Sequence, residues 1–156
     1  MTPPFSRLSH RRDRPNRGGE NGFTLLEMLV VIAIIGLLMA IVGPQVLKQL
    51  ENAKTHTAKI QVLQTENALQ VFQTDVGRYP TQAEGLAALT TAPPGVSGWN
   101  GPYSKPVPLD PWGHPYHYLS PGKHGEIDIY SLGSDNAEGG TGSAADIGNW
   151  QNAPSG

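Results

Sequence analysis

Residues 23–42 read FTLLEMLVVIAIIGLLMAIV, twenty consecutive residues carrying a single charge, Glu27. A domain of this size has no core large enough to bury such a block, so lipid or other helices must cover it. As a helix rising about 1.5 Å per residue the run is about 30 Å long, which matches the hydrocarbon thickness of a bilayer. Arg7, Arg11, Arg12, Arg14 and Arg17 precede it and no arginine follows closely. By the positive-inside bias this places the N-terminus in the cytoplasm and the remainder of the chain outside.

An ordinary secretory signal is cut after its apolar stretch. Here the only candidate junction, Gly22-Phe23, lies before it, at the end of a basic leader spanning 1–22. A cut there leaves the membrane helix on the mature protein. The apolar segment, 23–44, ends at Gly43-Pro44, where the missing proline N–H predicts a kink or local melting around 36–44. From 45 to 76 the chain has helix formers and neither Gly nor Pro. Leu50, Ala53, Ile60, Leu63, Leu69, Phe72 and Val76 recur at spacings of mostly three and four, interrupted at Thr57 and Asn67. One helix of roughly fifty residues is expected, apolar all round in its first half and with one buried face in its second.

Residues 77–156 hold most of the 19 Gly and 14 Pro, which implies turns and short elements. Thr81 and Glu84 form a capping box ahead of a short amphipathic run, Gly85-Leu86-Ala87-Ala88-Leu89. A Pro-rich loop from Thr90 to Pro111 follows. Two strands are expected at 115–119 and 125–132, joined by the turn 121–125, with Ile127 and Ile129 facing the core and Glu126 and Asp128 facing water. A third short strand around 146–150 closes the sheet. The expected class is α+β: a long N-terminal helix packed on a small, turn-rich, antiparallel three-stranded sheet.

The run Gly22-Phe23-Thr24-Leu25-Leu26-Glu27 before an apolar helix resembles the leader junction of type IV pilins and pseudopilins. The resemblance implies cleavage after Gly22 by a prepilin peptidase, which then methylates the new N-terminus at Phe23. An isolated carboxylate in hydrocarbon is costly and persists mainly where it finds a partner. In a fibre, Glu27 of one subunit would meet the Phe23 ammonium of its neighbour and set axial register. A signal anchor with Glu27 at the cytoplasmic interface is the plainer alternative.

Further motifs narrow the resemblance. Tyr79-Pro80-Thr81 with Glu84-Gly85-Leu86, Asp110-Pro111-Trp112-Gly113 with Pro115-Tyr116, Ile129-Tyr130-Ser131-Leu132-Gly133, and Asp146-Ile147-Gly148-Asn149-Trp150 are similar to the general secretion pathway protein G family, the major pseudopilins of type II secretion systems. That family implies a non-enzymatic subunit of a helical homopolymer in the periplasm, anchored in the inner membrane and its lipid before assembly. Its implied partners are minor pseudopilins, an inner-membrane assembly platform and the prepilin peptidase. A type IV pilin of an extracellular fibre is the alternative, although such pilins often close their C-terminal region with a disulfide and this chain has no cysteine.

The segment LGSDNAEGGTGSAAD, from Leu132 to Asp146, supplies the oxygen ligands and flexible backbone that a hard cation requires. It matches neither an EF-hand nor the G-G-x-G-x-D repeat, where Ala144 stands in place of Asp, so spacing alone also allows a solvated loop. The family resemblance implies calcium, held by the Leu132 carbonyl and the Asp135 and Asp146 side chains, with Thr141 and Ser143 as further candidates. Asn136, where relatives often have Gly, tolerates a left-handed backbone.

Other classes fit less well. A net charge of −2 leaves no basic footprint for nucleic acid. His114, His117 and His124 could suggest a zinc enzyme, but no H-E-x-x-H occurs and no Cys is present.

Overall fold

The computed structural model describes residues 22–152; all but the last residue of the leader expected at 1–22, and residues 153–156, lie outside the described residues. Helix α1 spans Leu25–Val76 and holds Pro44 inside it. The melting expected around 36–44 is therefore not found. Proline forfeits one helical hydrogen bond, and the good helix formers on both sides sustain the rest of the ladder.

The chain divides into two units, parting between Ile41 and Val42. Residues 22–41 are all exposed, Leu25 at 85% and Ile32 at 70% among them. All of the described core lies in the second unit. There α1 buries Ala58, Val62, Thr65, Ala68, Leu69 and Phe72, at the three- and four-residue spacing of one helical face. Leu69 and Phe72 were expected on this face, while Leu50, Ala53, Ile60 and Leu63 were too and are exposed. The true stripe runs through Ala58, Val62 and Thr65.

Against this stripe packs an antiparallel sheet in the order β1 (His117–Leu119), β2 (Asp128–Ser131), β3 (Ile147–Gly148), with Tyr118 opposite Ile129 and Ser131 opposite Ile147. The strands are shorter than expected, for identifiable reasons. The turn before β2 uses up its backbone groups, since the Gly122 amide donates to the Glu126 carbonyl. After Gly148 the backbone leaves the sheet as a 3₁₀ turn (Asn149–Asn152). The Asn149 carboxamide takes over the next rung, accepting from the Ile129 amide at 3.0 Å and donating to the Ile127 carbonyl at 3.1 Å.

Asp128, expected to face water, is 1% exposed. Its carboxylate accepts the Lys123 amide at 2.7 Å and the His124 amide at 3.2 Å, and His124 Nδ1 lies 3.0 Å away. The preceding turn folds back over the strand and turns its donors inward, so a carboxylate replaces the backbone partners that turn lacks.

The capping box at Thr81 forms: the Thr81 amide donates to Glu84 Oε2 at 2.7 Å and the Glu84 amide to Thr81 Oγ1 at 3.3 Å. It leads into a 3₁₀ turn, Gly85–Leu89, that places Ala88 and Leu89 in the core. Gly85 has φ +56, which the right-handed helix cannot continue through. Arg78 grips the same carboxylate with two bonds of 2.7 and 2.8 Å. Glu84 is thereby lowered to about 2, chiefly by Arg78 and further by Thr81. A depressed carboxylate adds stability that is complete above its ordinary range and is lost as pH falls through the folded value. Wild-type protein is thus expected to lose stability between about pH 5 and 2, and Glu84→Gln to flatten that loss by about 1 kcal/mol, the worth of a largely exposed pair; thermal melts across that range measure it.

Candidate functional site

Two places hold the residues singled out by sequence. The first is the start of α1. Gly22 and Phe23 precede the helix, and Phe23 is 73% exposed. Thr24 caps the helix, its hydroxyl accepting the Glu27 amide at 3.1 Å and its carbonyl accepting the Met28 amide at 3.2 Å. Glu27 therefore sits in the first helical turn, where free amides and the helix dipole favour a negative charge. Thr24 was not singled out by sequence, although T-x-x-E before an apolar run is a capping signature. From Leu25 to Val42 the large apolar side chains are exposed on every side, a patch far larger than a free soluble surface keeps.

The second place is the connection from β2 to β3, residues 132–146. It carries Asp135, Glu138 and Asp146 and no basic side chain. Two 3₁₀ turns, Gly133–Asp135 and Gly142–Ala144, face each other across it. A Cβ on Gly133 would lie 2.7 Å from the Ser143 carbonyl oxygen, and one on Gly140 would run into the Ala144 carbonyl, so the halves are in close backbone contact. Both glycines have positive φ, as does Asn136 at φ 53, which bears out the left-handed expectation for that residue. The Ser134 and Ser143 hydroxyls meet at 3.4 Å.

Asp146 reaches back into the loop. Its amide donates to the Gly139 carbonyl at 3.2 Å, and its Oδ2 accepts the Gly139 amide at 3.0 Å. Its other oxygen, Oδ1, is buried and accepts no hydrogen bond from any described residue. A buried, unpaired carboxylate oxygen is costly, and its lone pairs are what a hard cation would satisfy. Asp135 is exposed and turns Oδ1 to its own loop, accepting the Ala137 amide at 3.3 Å. The described residues bring no three Asp, Glu or His side chains together here, so a cation would depend on Asp146, Asp135 and neutral oxygens, a donor type that suits calcium rather than a nitrogen- or sulfur-seeking metal.

Sequence reasoning missed the polar supports around this loop. Asp110, 4% exposed, accepts the Ser131 hydroxyl at 2.6 Å just ahead of it. Glu51 on α1 accepts the Trp112 indole N–H at 2.9 Å and the Lys54 ammonium at 3.1 Å. These partners, Trp112 first, then Lys54 and more weakly Ser143, hold its carboxyl below the ordinary range. Short-range patterns mark neither the Asp110 bond to Ser131 nor the Glu51 bond to Trp112, because those partners lie 21 and 61 positions away.

Comparison with known proteins agrees with this geometry. Residues 45–150 match the family model for the type II secretion system (T2SS) protein G, and residues 17–43 match the prokaryotic N-terminal methylation motif. The chain is 45% identical over 140 residues to the type II secretion system core protein G of Pseudomonas aeruginosa, covering 87% of this chain and 99% of that protein. It is 46% identical over 134 residues to the core protein G of Vibrio cholerae, covering 84% and 92%. Among solved structures it resembles the major pseudopilin from the type 2 secretion system of enterohaemorrhagic Escherichia coli, with TM-score 0.57 and 33% identity, over 66% of this chain and 91% of that one. The helix packed on a three-stranded sheet is shared with a solved major pseudopilin, and this chain belongs to the type II secretion system protein G family, the major pseudopilins.

Proposed function

We propose that this protein is a structural subunit of the type II secretion pseudopilus, polymerising through its N-terminal helix into a periplasmic fibre that helps export folded proteins across the outer membrane. The observation that carries this reading is the exposed apolar surface of Leu25–Val42. Lipid of the inner membrane satisfies that surface before assembly, with the N-terminus cytoplasmic and the globular unit periplasmic. The same surface on neighbouring copies satisfies it in the fibre. Minor pseudopilins and an inner-membrane assembly platform are the partners this role requires. The match to the protein G family favours it over an extracellular type IV pilin.

Processing by a prepilin peptidase between Gly22 and Phe23 creates an ammonium at Phe23, four residues before Glu27. In the fibre that ammonium pairs with Glu27 of a neighbouring copy, offsetting two charges that hydrocarbon would otherwise leave unpaired. Mass spectrometry of protein extracted from membranes with active peptidase is expected to give a chain beginning at N-methylated Phe23; an intact leader would refute the processing step.

Glu27→Ala removes one partner and strands the neighbour's ammonium. Membrane insertion is expected to persist or improve, since a charge leaves the apolar segment. Fibre assembly and secretion are expected to fall at least tenfold, a pair worth about 1.4 kcal/mol or more. Wild-type fibre yield from Glu27→Ala, measured by shearing and quantifying assembled protein, would rule the contact out.

Calcium would be held in the β2–β3 loop by Asp146, Asp135 and the Leu132 carbonyl, with Thr141 and Ser143 available as further oxygens. Its role would be structural: neutralising the loop's carboxylates and tying its end to β3. Binding to the folded state alone adds about 2.7 kcal/mol at a hundredfold excess over Kd. Chelation is expected to lower the melting temperature, magnesium to restore it poorly because of its tighter octahedral demand, and Asp146→Ala to abolish the response. Identical melts with and without calcium in wild-type protein would leave the loop merely solvated.

A further inference from the structure

Asp110 lies outside the acidic loop, yet its carboxylate is wired through Ser131 to Gly133 near the start of it. Oδ1 accepts the Trp112 and His114 amides at 3.0 and 2.8 Å, closing the turn 110–114. Oδ2 accepts the Ser131 hydroxyl at 2.6 Å, and the oxygen of that hydroxyl accepts the Gly133 amide at 3.1 Å. Ser131 is fully buried. The direction of donation is therefore fixed throughout: Gly133 amide to Ser131, Ser131 to Asp110.

The Gly133 N–H and the Leu132 carbonyl belong to one peptide group, which is planar and trans. Whatever fixes the direction of that N–H fixes the carbonyl in the opposite direction. With the N–H held on the buried Ser131 hydroxyl, the Leu132 carbonyl is turned away from Ser131. Gly133 has no slack to relax this, having φ +73 and the Ser143 and Ala145 carbonyls against its missing Cβ. Building on the calcium reading above, we propose that Asp110 and Ser131 are positioning residues for calcium, orienting the Leu132 carbonyl through the shared peptide plane without touching the ion.

Ser131, Asp110 and His114 also resemble the residue types of a nucleophilic triad. Ser131 donates to the carboxylate rather than to the imidazole, whose Nδ1 is 3.8 Å from Asp110 Oδ2, and it is closed to solvent, so it has no base and no substrate. The arrangement is a support.

Asp110→Asn would present an N–H₂ to Ser131, reversing that bond and leaving the buried hydroxyl hydrogen without an acceptor. Ser131→Ala removes the acceptor of the Gly133 amide while adding no bulk. The test titrates the full-length protein in detergent, freed of metal by chelation, with calcium chloride by calorimetry, alongside thermal melts in chelator. Tyr118→Phe serves as control, because it deletes a comparably buried bond, Tyr118 hydroxyl to the Pro80 carbonyl at 2.7 Å, away from the loop. Ser131→Ala and Asp110→Asn are expected to weaken calcium binding by about 10- to 100-fold, the usual effect of losing an outer-shell partner. Tyr118→Phe is expected to lower the melting temperature and leave Kd unchanged. A Ser131→Ala protein that melts lower but keeps the wild-type Kd would overturn the proposal, reducing the wiring to ordinary stability and leaving the calcium reading intact. Wild-type protein that takes up no calcium would overturn both.

Discussion

One face of α1 carries the globular unit. The sheet has strands of three, four and two residues, far too few ladder bonds to stand alone, since a small sheet needs an apolar face packed on another element. Val62, Leu69 and Phe72 from the helix and Ile129 from the central strand are fully buried. Leu89 joins them from the 3₁₀ turn. The helix supplies the rigid, regular surface, and the Gly- and Pro-rich remainder is laid on it piece by piece.

What the short strands cannot satisfy, buried polar side chains do. Asp110, Asp128 and Asn149 each take backbone groups that have no partner in helix or sheet, at a turn, at a turn-to-strand junction and at the end of the last strand. Such side chains are expensive to bury and tolerated only when paired. Their common effect is to make loop geometry depend on single residues.

The apolar half of α1 obeys a different constraint. Nothing in the described chain covers it, and its exposed Leu, Ile, Val and Met side chains would drive aggregation in water. Lipid and neighbouring copies are two ways of covering one surface, so membrane residence and polymerisation compete for the same side chains. Glu27 stands in the first turn of α1 with its amide capped by the Thr24 hydroxyl, and a carboxylate there is costly in hydrocarbon wherever it lacks a partner.

The long helix, its apolar half, the capping box at Thr81, the three-strand topology and the family were all legible in the chain, because each rests on local order: periodicity, a charge flanking an apolar run, or a contiguous motif. The register of the buried stripe was legible only in part. Leu69 and Phe72 were placed correctly, but Leu50, Ile60 and Leu63 have the same apolar character as core residues, and their exposure follows from where the sheet docks. Asp128 reads as a solvent-facing strand residue by alternation and is buried because a turn folds over it. Asp110, Ser131, Asn149 and Glu51 owe their importance to partners 20 to 61 positions away. A periodicity window never spans such distances, so contacts of that kind exist only once hydrophobic burial has brought the segments together.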